Sequence, residues 1–189
     1  MNNPARALVQ RRVEARWLLE AGGPARGAAL EVGCGRGVGV EIALEDFGAT
    51  RVDAFDLDPR MVALATERLA RFGDRVKLCT GDAERIAAPD AAYDAVFDFG
   101  ILHHVPDWRG AVREIARVMR PGARLYCEEI LARLITNPLV RRVVEHPQQG
   151  RFDADAFARA LEEAGLAVRA RREWLGLIAW FVAEKRALG

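Results

Sequence analysis

"ALEVGCGRGVGVEIAL", residues Ala29 to Leu44, places glycines at 33, 35, 37 and 39, between an apolar run and a helical pattern. Glycine loses more backbone freedom on folding than any other residue, so a cluster this dense marks a backbone that a ligand must approach closely. The run "AALEVG" (28–33) has the length and apolarity of a buried strand, and "VGVEIALEDFG" continues as a helix. A glycine-rich turn between a first strand and a helix holds its ligand at the carboxyl edge of a sheet.

The spacing narrows the ligand. The dinucleotide fingerprint G-x-G-x-x-G read from Gly33 requires glycine at 38, where Val38 stands. The pattern present is E-x-G-x-G-x-G, with Glu31 two residues ahead of Gly33. A carboxylate repels a pyrophosphate and suits a ligand that carries positive charge.

Outward from this turn, helix and strand signals alternate. Residues 5–21 carry Leu8, Val9, Val13, Trp17 and Leu18 at helical spacing opposite an arginine-rich face. Strands are expected at 51–58, 75–82, 93–100 and 123–130, with helices at 59–73, 107–122 and 153–166. Pro59 opens the first of these helices, Pro121–Gly122 closes the second, and Asp153 caps the third. Residues 167–186 read as two strands around Gly176 with no helix between them, hence a hairpin with one antiparallel strand. The expectation is one α/β domain over 1–189: a doubly wound, mostly parallel seven-stranded sheet with helices on both faces. Residues 1–27 add an N-terminal helix. Residues 131–152, with a helical piece near 138–145, are too long for a plain crossover and form an insertion suited to a substrate lid.

Composition excludes several classes. The 189 residues are 51% hydrophobic and 29% charged, with a net charge of +1, which gives no push toward nucleic acid. Lys77 and Lys185 are the only lysines among 28 basic residues, which points to a GC-rich, bacterial coding genome. Cys34, Cys79 and Cys127 are far apart, so buried thiols in a reducing cytosol are expected and no metal site is. The N-terminus is interrupted by Arg6, Arg11, Arg12, Glu14 and Arg16, too often for a signal peptide or a membrane span. A cytoplasmic protein is the expectation.

Glu31–Gly37 resembles motif I of the class I S-adenosylmethionine-dependent methyltransferases, and later positions match in order. Asp56 ends the second strand, "GDAER" (81–85) resembles the next motif, "YDAVFDFGILHHVPDW" (93–108) the fourth strand and its loop, and "VMRPGARLY" the entry to the fifth strand. The "LHHVPD" loop is similar to that of the ubiquinone/menaquinone-biosynthesis enzymes. The resemblance covers roughly residues 28–185 and implies a Rossmann-like fold with S-adenosylmethionine as cofactor. It implies that Glu31 neutralises the cofactor's amino end, and that Gly33, Cys34, Gly35 and Gly37 bring backbone to its amino-acid and ribose parts. Asp56 takes the ribose hydroxyls and Asp82 the adenine amino group, with the Ala83 amide on a ring nitrogen. Leu57, Asp98 and Phe99 complete the implied cofactor set. Asp58, beside Pro59, reads as a helix cap instead.

Methyl transfer from a sulfonium is an in-line displacement, and a general base is needed only where the acceptor must lose a proton. His103 and His104 are the candidate bases, with loop-shaping as their alternative role. Glu128 and Glu129 end the fifth strand and are placed to face an acceptor. Trp108 and His146 are expected to pack or tether. No N-P-P-Y tetrapeptide follows the fourth strand, which disfavours amino-methylation of DNA or protein glutamine. The compact size and the resemblance of the "LHHVPD" loop to that of the ubiquinone/menaquinone-biosynthesis enzymes imply a small-molecule or lipid-like acceptor. The apolar residues Leu131, Leu134, Ile135, Leu139, Val140, Val143 and Val144 form either an acceptor wall or ordinary helix packing, with Arg133, Arg141 and Arg142 among them. Two other classes stay open: a cofactor-binding protein without activity, and a nicotinamide-dependent oxidoreductase.

Overall fold

The computed structural model describes residues 10–135 and 151–187. Seven strands form one sheet: β1 (Ala28–Val32), β2 (Arg51–Asp56), β3 (Val76–Thr80), β4 (Tyr93–Phe99), β5 (Met119–Ile130), β6 (Leu166–Trp174) and β7 (Ile178–Lys185). Their spatial order is β3-β2-β1-β4-β5-β7-β6. All neighbours pair in parallel except β7, which is antiparallel to both β5 and β6. The expected hairpin is therefore present, and β6, reversed twice, runs parallel to β5.

Period-two alternation explains the two layers of core. Ala95 and Phe97 on β4 and Tyr126 on β5 face one side. There they meet Leu18 of α1 (Ala15–Gly22), Ile42 of α2 (Val38–Glu45) and Leu69 of α3 (Pro59–Leu69). Val96, Leu125 and Cys127 face the other side. They meet Ile115 of α4 (Trp108–Val118) and Phe157 and Leu161 of α6 (Ala154–Glu163). A short helix, α5 (Ala132–Ile135), follows β5. Trp108 packs against Phe152 and Phe157, as expected of it. Asp58, Asp107 and Asp153 cap α3, α4 and α6 through backbone amides.

Several boundaries differ from the sequence expectation. The π-helical turn Gln10–Glu14 precedes α1, and Val13 is exposed instead of joining the apolar face. The helix from Pro59 ends at Leu69 and tightens into a 3-10 segment, Ala70–Arg75. The helix expected to 122 stops at Val118, because β5 already begins at Met119. Cys79 is exposed, contrary to the expectation for all three thiols, whereas Cys34 and Cys127 are buried. The reason is topological: residues 81–92 cross from β3 to β4 without a helix. That leaves a cleft of about 490 Å³ on this face, lined by Phe55, Lys77, Cys79, Ile86 and Tyr93.

Leu131 and Ile135 are buried. The Ala132 amide donates to the Phe152 carbonyl at 3.0 Å, so the two ends of the long connection meet. The expectations at residues 136–150, including the helical piece, Leu139, Val140, Arg141, Arg142, Val143, Val144 and His146, lie outside the described residues.

Phe47 joins the first layer at its centre. Its ring meets Phe97 edge-on at 4.9 Å and Tyr126 at 4.8 Å, and it is fully buried. Phe47→Ala is expected to cost about 3–5 kcal/mol of unfolding free energy. Urea denaturation checks this; a loss under about 1 kcal/mol would show that the ring is not part of the core.

Candidate active site

The glycine turn sits at the carboxyl ends of β1, β2 and β4, and the chain's own carboxylates hold it there. The Asp56 carboxylate accepts the Gly35 amide on one oxygen at 2.8 Å and the Asp58 amide on the other at 2.9 Å. It thereby ties the turn to the start of α3. The Cys34 amide donates to the Phe55 carbonyl at 2.8 Å, and the Gly37 amide to Cys34 at 2.8 Å. Gly33, Gly35 and Gly37 all adopt left-handed backbone. A side chain on Gly35 would meet nothing within 4 Å, so the turn is open above it.

Gly39 has a different reason to be glycine. It is helical, and a Cβ there would strike the Glu31 carboxylate and the Phe99 ring. Glu31 is only 2% exposed and lies against the first turn of α2, accepting the Val40 amide. Its Oε2 is buried without a hydrogen-bond partner among the described residues. Burial raises the Glu31 pKa well above the ordinary carboxylate range, and the nearby Asp98 and Asp56 add to the effect. A carboxyl with one oxygen unpartnered among the described residues, beneath an open turn, offers that oxygen to a cationic group.

The second part of the site is the loop after β4, which contains the 3-10 turn Leu102–His104. Ile101 fits against Gly33, so this loop touches the glycine turn. Glu129, fully buried on β5, accepts the Leu102 amide at 2.7 Å, the His103 amide at 3.3 Å and His103 Nδ1 at 2.7 Å. Burial lowers the His103 pKa to about 4 and raises that of Glu129 to about 7. Their contact is thus a neutral imidazole donating Nδ1–H to a carboxylate above pH 7, not an ion pair. Asp98, fully buried, accepts the Ile101 amide at 3.0 Å and the Cys127 thiol at 3.2 Å, and is hydrogen-bonded to Glu129. Burial and the Glu129 charge raise its pKa, so Asp98 keeps the proton of this pair.

The structure thus places Glu31, Gly33, Cys34, Gly35, Gly37 and Asp56 together at one turn. Leu57 projects beside it, 73% exposed. Asp82 is exposed, with one carboxylate oxygen on the Glu84 amide at 2.9 Å, and Ala83 is buried. Phe99 is half-buried and stacks on Phe97. Asp98 lies beneath the loop. His103 is buried against Glu129, while His104 is exposed and packs its ring 4.1 Å from that of His103. Glu129 does not face an acceptor; it anchors the loop from below. Two acids closing an otherwise apolar strand, "LYCEEI", were the available signal, but alternation alone does not say which of them turns under the loop. Asp98, Cys127 and Glu129 have ligand atoms close enough to surround one ion. The hydrogen bonds joining them account for the cluster without one.

Comparison with known proteins agrees with this geometry. The model of the methyltransferase domain family matches residues 30–127. The chain is 34% identical over 111 residues to 27-O-demethylrifamycin SV methyltransferase of Amycolatopsis mediterranei, covering 58% of this chain and 40% of that protein. It is 36% identical over 104 residues to the ubiquinone biosynthesis O-methyltransferase of Xanthomonas axonopodis pv. citri, covering 54% and 43%. It is 28% identical over 146 residues to 2-methyl-6-phytyl-1,4-hydroquinone methyltransferase of Synechocystis, covering 72% and 45%. The chain therefore spans less than half the length of each of these relatives. In fold it is similar to a chain from the complex of the Haloferax volcanii Trm112 methyltransferase activator with a methyltransferase. That match has TM-score 0.81 and 18% identity over 98% of this chain and 95% of that one.

Gly39→Ala tests the fit of Glu31 beneath the turn. Helix propensity alone would make this change stabilising by about 1 kcal/mol. Displacement of the Glu31 carboxylate is expected instead to cost about 1–3 kcal/mol. Thermal unfolding reads the sign, and a gain would show that Glu31 is not wedged against α2. With its glycine turn, its acidic strand ends and the match over residues 30–127, the chain belongs to the methyltransferase domain family.

Proposed function

We propose that this chain transfers a methyl group from S-adenosylmethionine to a small-molecule or lipid-like acceptor. The observation that carries the proposal is the buried, unpartnered Glu31 Oε2 beneath an open left-handed glycine turn. A dinucleotide brings a pyrophosphate to such a turn, which this carboxyl repels; the amino end of S-adenosylmethionine is a cation, which it attracts. The cofactor supplies a methyl already activated on a sulfonium, so the protein's work is binding, alignment and exclusion of water.

Glu31 holds the amino end, and the backbone of Gly33, Cys34, Gly35 and Gly37 lies along the amino-acid and ribose parts. Asp56 keeps lone pairs for the ribose hydroxyls beyond the two backbone bonds it accepts. Leu57 and Phe99 supply apolar contact to the adenine, with Asp82 and the Ala83 amide at its edge. Asp98 acts through the loop that it braces. His104 is the exposed imidazole of that loop, available to the acceptor, and His103 is the strut beneath it. The relatives' names include ubiquinone biosynthesis, demethylmenaquinone and phytyl-hydroquinone methyltransferases, which supports a quinol-like or phenolic acceptor with an apolar tail. The arginine-rich composition supports a bacterial, cytoplasmic enzyme, as does the lack, among the described residues, of a helix long and apolar enough to cross a membrane. No nucleic-acid target is invoked.

Calorimetry with S-adenosylhomocysteine and with NAD tests the cofactor. The first is expected to bind in the micromolar range, roughly −8 kcal/mol. Tighter binding of NAD would refute the assignment. Incubation with S-adenosylmethionine and a panel of quinols and phenols, followed by mass spectrometry, is expected to show a one-methyl mass gain in at least one of them.

A further inference from the structure

The tip of the β6–β7 hairpin breaks two rules at once. The Leu177 amide donates to the Trp174 carbonyl at 2.9 Å, closing a two-residue turn at Leu175–Gly176 in which both residues have positive φ, +54° and +70°. Turns of this geometry favour Asn-Gly or Gly-Gly, because a larger side chain is strained there. Here the strained position holds a leucine that is 66% exposed, next to a tryptophan that is 54% exposed. Turn chemistry and solvation both disfavour this pair, and neither side chain is buried in the core.

The tip also has a defined place and charge. Because β6 runs parallel to β5, its carboxyl end lies on the same sheet edge as the glycine turn and the Leu102–His104 loop. Arg133 donates to the Leu175 carbonyl at 3.1 Å, fixing a guanidinium beside the tip. Arg169 is occupied by Glu184, and Arg171 by Asp155 and Glu173. Arg172, exposed and lying over the Trp180 ring, forms no ion pair among the described residues. An indole and an aliphatic side chain projecting past arginines is the arrangement that seats in the interface of a bilayer, apolar groups in the acyl boundary and guanidinium groups at the phosphates.

We infer that the Trp174–Leu175 tip docks the protein on an anionic phospholipid surface, with the carboxyl edge of the sheet turned toward the membrane. The inference rests on the lipid-like acceptor proposed above, since docking at this edge brings an acceptor in the bilayer to the methyl crevice.

The test is flotation of the purified chain with vesicles of phosphatidylglycerol and phosphatidylcholine in equal parts, and with phosphatidylcholine alone. Binding is expected on the anionic vesicles, weakening with added salt, and falling about tenfold on neutral ones. Trp174→Thr with Leu175→Asn keeps a strand former and a residue at ease with positive φ, so the turn still folds. This double variant is expected to lose vesicle binding about tenfold or more, with thermal stability and S-adenosylhomocysteine affinity unchanged. Arg172→Gln is expected to weaken only the salt-sensitive part. Absence of binding to either vesicle overturns the inference, and so does undiminished binding of the double variant. A dimer in sedimentation that the double variant dissolves also overturns it, by making the tip a contact between copies. S-adenosylhomocysteine calorimetry on the same samples reports on the methyltransferase proposal separately: vesicle binding without cofactor binding would refute that proposal and leave the docking intact.

Discussion

The site depends on one costly placement, a glutamate buried near the end of the central strand with one carboxylate oxygen unpartnered among the described residues. Burial of an unpaired charge is disfavoured so strongly that such a group keeps its proton or waits for a cation. Much of the surrounding sequence accommodates this one side chain. Gly39 gives it room, the first turn of α2 gives it one amide, and Asp98 and Asp56 add negative potential. In the ligand-free protein this arrangement lowers stability as pH rises, since raised carboxyl pKa values favour the protonated, folded state at low pH and that advantage fades as these groups ionise. His103 acts in the opposite sense below pH 6.5, where its lowered pKa makes protonation unfavourable to the fold. Above pH 6.5 the His103 effect is complete and the carboxyl effect continues, joined in the thiol range by the buried Cys34 and Cys127, whose raised pKa values act in the same direction.

The loop that completes the site is held by the same chemistry turned to another end. Glu129 accepts two backbone amides and an imidazole nitrogen, while Asp98 retains a proton and bridges Glu129 to Cys127. A buried network of this kind holds the loop in one geometry. A rigid loop on one side and a strapped glycine turn on the other, touching through Ile101 and Gly33, set the width of the crevice before any ligand arrives. Preorganisation of that kind is what an in-line displacement requires of a protein.

Much of the sheet was legible in the sequence because β1 and β4 are short apolar runs that lead into glycine turns, and α3, α4 and α6 carry aspartate caps. Element ends were less legible where tertiary structure decides them: β5 starts at Met119 because it pairs with Tyr93, which helix periodicity does not register. The grouping of Glu31, the glycine turn and Asp56 at one sheet edge was readable from their places at the ends of the first two strands, and the structure brings them together. Two features were not. Glycine pattern alone does not reveal that Gly39 serves a neighbouring carboxylate, because that requires knowing which way Glu31 points. The role of Glu129 was equally hidden, since adjacent acids on a strand face opposite sides and only the packed structure tells which of them lies under the loop. The exposure of Cys79 follows from a missing crossover helix, an absence that carries no positive signal in the residues around it.

The central claim is that the buried Glu31 carboxyl, its pKa raised by burial, waits for a cationic ligand group. Binding of S-adenosylhomocysteine, measured calorimetrically at pH 7 in buffers of different ionisation enthalpy, tests it directly. If the ammonium group stabilises the ionised Glu31 carboxyl, protons are released on binding, and Glu31→Gln abolishes the release while weakening affinity by about tenfold or more. Absence of proton release in the unaltered protein, or release that persists in Glu31→Gln, would contradict the account.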